Sequence, residues 1–460
     1  MSENKKATND KLSPGFKFFY ATSCNGASAL ITGVAATYFA AFMTDTMLLP
    51  ATACSVIMFI ATLWDAINDP MMGVLADRTN TKWGRYRPYL LFTPVLMLIF
   101  STLLWMNPNL GTSGKIIYIL VVYICYGMTI TLYTMPFKSL LPACTMDDGE
   151  RNSAIWLSTI AGVVAFSIAS SFTTNITGFF ENTMGFSNGY VPMMFVFGLL
   201  CIVTFWGLFA NSKEKYVVQR EPAPPLKAIL DVMKLKGIYP LMIIWLVFWL
   251  GYGLSFSAAV YYLTYYMGNP ALISPYFLMN SVTGLVAITV VFPMLLKIAK
   301  TTTNAFMFTL AGSTVICAIL FLFGSKSVPL LFVGSTICNM FTTMQLGLVN
   351  ALVNDAIDYV QWKNGVASNG VVSSVQGFAQ KCGNTLSSSG FLMVLGLAGY
   401  VANAEQTPSA LFAINFMRYG FPVAQGIICI ICLRFNPARI HAKEISEMKA
   451  RIAASVGDNE

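Results

Sequence analysis

Asp65-Ala66-Ile67-Asn68-Asp69-Pro70 sits inside an apolar run and leads into Asp77-Arg78-Thr79-Asn80-Thr81-Lys82-Trp83-Gly84-Arg85-Tyr86-Arg87-Pro88. The reading of this stretch decides the fold. Asp65 and Asp69 are four residues apart and so share one face of a helix. A carboxylate at the centre of a bilayer costs about 2.5 to 3.5 kcal/mol even on the lenient insertion scale, so it must be paired, protonated or holding a cation. A chain that keeps two of them together in an apolar run has a use for the charge.

The rest of the chain makes the apolar run a membrane span. Of 460 residues, 56% are hydrophobic and only 10% charged, which is too apolar for an ordinary soluble domain. Runs of about 20 apolar residues recur along the whole length, each able to cross about 30 Å of hydrocarbon as a helix and each ended by Gly, Pro or a charge cluster. Twelve such spans are predicted, so the fold class is an all-α polytopic membrane protein. The first ten residues are polar, and the first apolar run is too long for a signal peptide and has no small-residue cleavage site after it. A mature, cytoplasmic start is expected.

The formal charge of +8 is explained by position rather than by a basic partner. With both termini inside, the cytoplasmic segments hold 23 of the 28 Lys and Arg, and the external segments hold only Lys115, Lys326 and Arg418. This asymmetry is the positive-inside rule, and it leaves nucleic-acid binding without support. The ten cysteines are scattered through the spans, and Cys429-Ile430-Ile431-Cys432 lies inside the last one. An isolated CxxC in an apolar helix is a poor metal signal, since zinc sites want four ligands and the single histidine, His441, is in the tail. The cysteines read as small packing residues.

Along the chain, span 1 (about Lys17 to Met43) carries a loose polar stripe of Asn25, Ser28, Thr32 and Thr37, which suits either close helix packing or a cavity lining. Span 2 (about Leu48 to Leu75) carries the carboxylates. Span 4 (about Ile116 to Leu141) places Thr131, Thr134 and Lys138 on one face, where Lys138 either snorkels to the inner surface, pairs with an aspartate, or meets an anionic substrate. The segment 212–237, with Pro222, Pro224, Pro225 and an amphipathic piece, is the one long polar interruption. It divides the chain into an N-terminal six-helix bundle over 1–211 and a C-terminal one over 238–434, followed by a cytoplasmic tail over 435–460. Span 7 is aromatic: Tyr252 lies within it, and Tyr261, Tyr262, Tyr265 and Tyr266 read in large part as an interfacial belt, with one or two able to stack on a ligand. Asp355, Asp358 and Tyr359 are expected just beyond span 10, in solvent. Lys381 falls ten residues into span 11 on a face with Gly377, Asn384 and Ser388, and a buried ammonium there needs a partner such as Asp65 or Asp69.

The residues resemble the glycoside-pentoside-hexuronide:cation symporter family of the major facilitator superfamily. The strongest match is Trp64-Asp65-Ala66-Ile67-Asn68-Asp69-Pro70 with Gly73, then Asp77-Arg78-Thr79, Trp83-Gly84 and Arg87-Pro88. A second is Met135-Pro136-Phe137 with Ser139-Leu140 and Pro142. A third is Asp355 with Asp358-Tyr359, Gly370, Lys381 and Gly383, then Leu395-Gly396-Leu397-Ala398-Gly399-Tyr400 with Gln406. The resemblance implies twelve helices in two six-helix bundles, alternating access, and uptake of a sugar or glycoside driven by Na+, Li+ or H+. By position it implies a cation site of Asp65, Asn68, Asp69 and Thr131, with Na+ on Asp65 and Asp69 if sodium is the coupling ion. The oxygen chemistry agrees, because small hard cations take several oxygen ligands. Lys381 then balances the carboxylate pair when the cation is absent. The chain departs from the family pattern in its substrate half. Span 1 reads Asn25-Gly26-Ala27-Ser28-Ala29 without an aspartate, Thr134 replaces an Asp or Asn, and Ala367-Ser368-Asn369-Gly370 replaces Arg-x-Glu-Gly.

The function expected is therefore cation-coupled symport of a sugar or glycoside, with substrate held by Asn25, Ser28, Thr134, Lys138, Tyr252, Lys381 and Asn384. One alternative is an anionic or amphipathic non-sugar solute met by Lys138; another is a membrane sensor that no longer transports. No nucleophile-base pair or metal-ligand cluster points to an enzyme, and no cofactor is expected beyond the coupling cation. The partners expected are a small-molecule substrate, a monovalent cation and the lipid bilayer. The location expected is a cell inner membrane with both termini cytoplasmic.

Overall fold

The computed structural model describes residues 11–79, 81–216, 226–299, 301–364 and 369–457, without the side chains of 66, 69, 70, 73, 74, 76–78, 226 and 450–457. Among the described residues, ten segments are long and apolar enough to cross a membrane: α1 (Pro14–Thr46), α3 (Arg87–Leu104), α4 (Thr112–Cys144), α5 (Asp148–Asn182), α6 (Tyr190–Asn211), α7 (Lys236–Tyr266), α8 (Pro270–Ala299), α9 (Thr302–Lys326), α10 (Val328–Asn364) and α12 (Pro408–Ile440). Two further rods are α2 (Ala51–Arg78, 28 residues) and α11 (Asn369–Leu397, 29 residues). At 1.5 Å rise per residue each is about 42 Å long, more than the ~30 Å hydrocarbon layer. They are the polar members of the set. The apolar part of α2 stops at Asp65, and α11 carries Gln376, Gln380, Lys381 and Asn384. A short helix, Leu226–Met233, precedes α7, and α13 (Ala442–Gly457) follows α12. The described residues contain no β-strand, only an isolated bridge between Thr81 and Gly84.

Local chemistry sets the helix ends. Ser13 accepts the Phe16 N–H at 3.0 Å with Pro14 in the first turn of α1, and Asp147 accepts the Glu150 N–H at 2.9 Å to open α5. Thr301 and Thr407 do the same for α9 and α12. Each cap satisfies an amide that the helix itself leaves without an acceptor. Between α2 and α3, the Glu214 carboxylate accepts the backbone N–H groups of Arg85, Tyr86 and Arg87 at 2.8, 2.8 and 2.9 Å. Gly84 has φ +108°, and a Cβ there would lie 2.7 Å from Glu214. Only glycine fits this cradle.

Two units form by internal packing: Met1–Arg220 with Asn269–Ser281 and Leu392–Gln406, and Glu221–Gly268 with Val282–Phe391 and Thr407–Glu460. In the first, Trp105 is fully buried, stacked on Tyr190 at 4.5 Å and tilted against Phe42 at 4.9 Å. In the second, Trp245 and Phe248 lie at the centre of an apolar cluster, and the Trp245 indole donates to the Val349 carbonyl at 3.1 Å. Within a bilayer such dispersion contacts and hydrogen bonds, rather than exclusion of water, decide which helix faces which.

Two expectations are corrected here. α10 continues to Asn364, so Asp355, Asp358 and Tyr359 lie in its last turns and not beyond it. Asp355 accepts a hydrogen bond from buried Asn436 at 2.8 Å, and Asp358 pairs with Lys449 of α13 at 2.6 Å. Tyr261 and Tyr262 are each 1% exposed. Their rings pack inside the bundle, against Phe391 and Tyr419 respectively, so these two tyrosines of the run are core rather than interfacial.

Candidate cation and substrate site

The site grows from the contact of α2 with α4. Asp65 projects from α2 towards Gly127 of α4: a Cβ added at Gly127 would lie 2.7 Å from Asp65 Oδ1. Glycine is therefore what lets the carboxylate approach the α4 backbone. One turn on, the Thr131 hydroxyl donates to the Gly127 carbonyl at 3.3 Å, which puts Thr131 on the same α4 face as the carboxylate's landing point. Tyr123, one turn before Gly127, is within electrostatic reach of Asp65.

Asn68 is one turn after Asp65 on α2 and only 1% exposed. Its Nδ2 is buried and has no hydrogen-bond partner among the described residues. A buried amide left this way costs about 1–3 kcal/mol, and its oxygen and nitrogen ends exchange by a flip of the terminal torsion. Asp69 follows on the same helical face; its side chain lies outside the described residues. Asp65, Gly127 and Thr131 thus share the contact of α2 with α4, and Asn68 stands one turn from Asp65 on α2. Gly127 was missed because a lone glycine in a helix says nothing of the carboxylate it faces.

The substrate residues are distributed as follows. Asn25 lies in a π-helical turn of α1, Ser23–Ala27, a geometry that recurs at functional sites. Its amide donates to Ser158 of α5 at 2.8 Å. Ser28 is buried and its hydroxyl is paired with that of Tyr133 on α4, so it stands in the packing between α1 and α4. Thr134 bonds back to the Ile130 carbonyl at 2.7 Å. Lys138 is exposed, with its ammonium close enough to the Cys24 thiol of α1 to act on it electrostatically. The first unit therefore carries Asn25, Thr134 and Lys138 as well as the cation residues.

In the second unit, Tyr252 stacks on Phe248 at 6.0 Å and edges onto Trp249 at 5.6 Å. It lines an internal cavity of about 30 Å³ together with Ser313, Gln345, Arg418 and Gln425, room for a water molecule or two. Sequence reasoning missed these polar partners because they are isolated polar residues spread over α9, α10 and α12. Lys381 and Asn384 lie on an exposed face of α11, beside Gly377, which has open space around it. The opposite face packs on α7 through Gly383, where a Cβ would come within 2.5 Å of the Leu246 carbonyl.

Comparison with known proteins agrees with this architecture. The isoprimeverose transporter of Lactiplantibacillus pentosus is 27% identical over 446 residues, covering 95% of this chain and 91% of the relative. The glucuronide carrier protein homolog of Escherichia coli strain K12 is 24% identical, covering 87% and 88%. Among solved structures, the nucleoside transporter NupG superposes with a TM-score of 0.66 at 11% identity, over 91% of this chain and 98% of that one, a likeness of fold alone. Residues 23–438 match the family described as MFS/sugar transport protein, and the chain belongs to it: a multi-pass membrane transporter of the major facilitator superfamily, and not an enzyme.

Proposed function

We propose that the protein is a secondary active transporter that couples entry of a sugar or glycoside to a monovalent cation by alternating access, with both termini on the cytoplasmic side of a cell inner membrane. The observation that carries this reading is the approach of the Asp65 carboxylate to Gly127, one turn from Thr131 on α4, together with the buried Asn68 one turn along α2, whose Nδ2 has no hydrogen-bond partner among the described residues. Two carboxylates, an amide oxygen and a hydroxyl form the donor set for Na+ or Li+, whereas a proton needs only one carboxylate. The bodies that move are the bundles 1–211 and 238–434, joined by 212–237 and followed by the tail 435–460. Cation binding neutralises Asp65 and Asp69, releases Lys381 from its balancing role, and lets the bundles close around substrate held by Asn25, Thr134, Lys138, Tyr252, Lys381 and Asn384. Ser28 acts by holding Tyr133. Coupling requires each ligand to raise the affinity of the other by the same factor.

Similarity to an isoprimeverose transporter makes neutral xylosides and related disaccharides the first substrates to test. A second reading, transport of an anionic solute such as a uronide, is favoured by exposed Lys138 on the Thr134 face and by the glucuronide carrier homolog among the relatives.

The test is thermal unfolding in detergent against glycosides, uronides and other solutes, with and without Na+ and at two pH values, beside Asp69→Asn. A ligand at 100 times its Kd stabilises the native state by about 2.7 kcal/mol. Stabilisation by a glycoside that grows with Na+, and loses that growth in Asp69→Asn, supports the reading. Stabilisation by no sugar under any cation condition sinks it.

A further inference from the structure

A groove of about 550 Å³ opens in the second unit where α7 begins and α12 ends, a volume within the range of small-molecule sites. Its basic side chains are Lys236 and His441, beside the hydroxyls of Tyr239 and Tyr359, and among the described residues no Asp or Glu lines it. Its apolar side includes Ile243, Phe435 and Ile440, which are 44%, 59% and 55% exposed. With basic and apolar side chains in one lining, the groove offers contacts both to an anionic headgroup and to hydrocarbon.

The walls are built and held. The Tyr359 ring lies against Gly237, where a Cβ would stand 2.5 Å from the ring, so any larger residue would displace the tyrosine. The His441 ring stacks on Trp362 at 4.6 Å and 25°, and its backbone N–H donates to the Pro437 carbonyl at 2.9 Å. Behind it, fully buried Asn436 donates to Asp355 at 2.8 Å and accepts the Ala438 N–H at 3.1 Å. That fixes the turn carrying Ile440 and His441. The nearby α10 carboxylates are engaged elsewhere, Asp355 with Asn436 and Asp358 with Lys449.

We propose that this groove binds an anionic phospholipid of the inner leaflet, its phosphate held by Lys236 and His441 and its acyl chains lying along Ile243, Phe435 and Ile440. Three features choose a lipid over a free anion. The aliphatic wall has no use for inorganic phosphate. α12 carries further exposed apolar side chains, Ile427, Ile428 and Ile431. The flanking segments add Lys234, Arg434, Arg439 and Lys443, the kind of basic surround that recruits anionic headgroups on the cytoplasmic side. The leaflet rests on the orientation proposed above; the chemistry of the groove does not.

The test uses the purified full chain in detergent, titrated with phosphatidylglycerol, phosphatidylcholine or inorganic phosphate, and read by lipid binding in native mass spectrometry and by thermal unfolding. Phosphatidylglycerol is expected to bind and to raise the unfolding temperature, while phosphatidylcholine and phosphate do neither. Lys236→Gln should weaken phosphatidylglycerol about five-fold, and adding His441→Gln should weaken it further. Lys326→Gln, at an exposed side chain that ends α9 and lies outside the groove, should change it far less. Wild-type phosphatidylglycerol affinity in the double variant would overturn the proposal, as would an equal response to phosphatidylcholine or to phosphate. Because no transport substrate is present, such a failure leaves the transport reading standing, and failure of transport leaves this one.

Discussion

The Tyr400 hydroxyl donates a 2.5 Å hydrogen bond to the Asp45 carboxylate across 355 residues of sequence. Asn403, in the left-handed region at φ 55°, donates its amide to the Asp45 carbonyl at 2.8 Å. From the loop after α3, Asn107 reaches the Thr46 carbonyl at 3.0 Å, and Lys115 of α4 reaches that of Met47 at 3.1 Å. The carbonyls at the end of α1, which have no helical partners, are thus satisfied by side chains from distant parts of one unit. A hydrogen bond to a charged group contributes about 1.5–3 kcal/mol. Tyr400→Phe is expected to lower the thermal midpoint in detergent by an amount in keeping with that loss. Asn403→Gly, which keeps the left-handed backbone and removes the amide, should cost less. An unchanged midpoint in Tyr400→Phe would mean that solvent replaces the bond.

Gly127→Ala tests the cation site without touching a charge. The added methyl meets Asp65 Oδ1 at 2.7 Å, and overpacking of this kind costs about 1–3 kcal/mol. If the carboxylate must stay where it is to bind the cation, apparent cation affinity falls about five- to hundred-fold while the protein still folds. Cation titration of unfolding temperature in the variant measures this. Wild-type affinity would place the cation elsewhere.

Lys138→Met separates the two substrate readings. For a neutral glycoside, uptake is expected to stay within about three-fold of wild type, a change of under 1 kcal/mol. For a uronide, loss of the ammonium should remove most binding, because charged hydrogen bonds are the strong ones. Competition between the two solutes in one uptake assay gives both numbers.

Asn436→Ala leaves the Asp355 carboxylate without the amide it now accepts from. The cost expected is about 1–3 kcal/mol, seen as a lower unfolding temperature. Asp355→Asn combined with Asn436→Asp, which exchanges donor and acceptor, should recover part of it. Because an aspartate at that position still accepts the Ala438 N–H, an exchange that recovers nothing would contradict the Asp355–Asn436 pair as the source of the loss.

Sequence carried the spans and the α2 carboxylates because those signals are local. Hydrophobic run length, lysine and arginine asymmetry, and a spacing of four residues each need only a short window. The partners were not legible. Gly127 acquires its meaning from Asp65, 62 positions earlier, and nothing near Asp45 announces Tyr400. Asp355 and Asp358 read as solvent residues because charge was taken to end the helix. In fact buried Asn436 and a lysine from α13 let α10 run on. Tyr261 and Tyr262 misled for a related reason: an amphipathic ring suits a membrane interface and a bundle core equally, and only packing distinguishes them.

The most direct measurement of the central claim is uptake of the best-binding glycoside into proteoliposomes under an imposed Na+ or proton gradient, for wild type, Asp65→Asn and Asp69→Asn. Accumulation above equilibrium driven by one of these gradients in wild type is expected. Each variant should lose it while still exchanging substrate down its concentration gradient. Gradient-driven accumulation that survives in Asp65→Asn and Asp69→Asn would contradict the assignment of the α2 carboxylates as the coupling site.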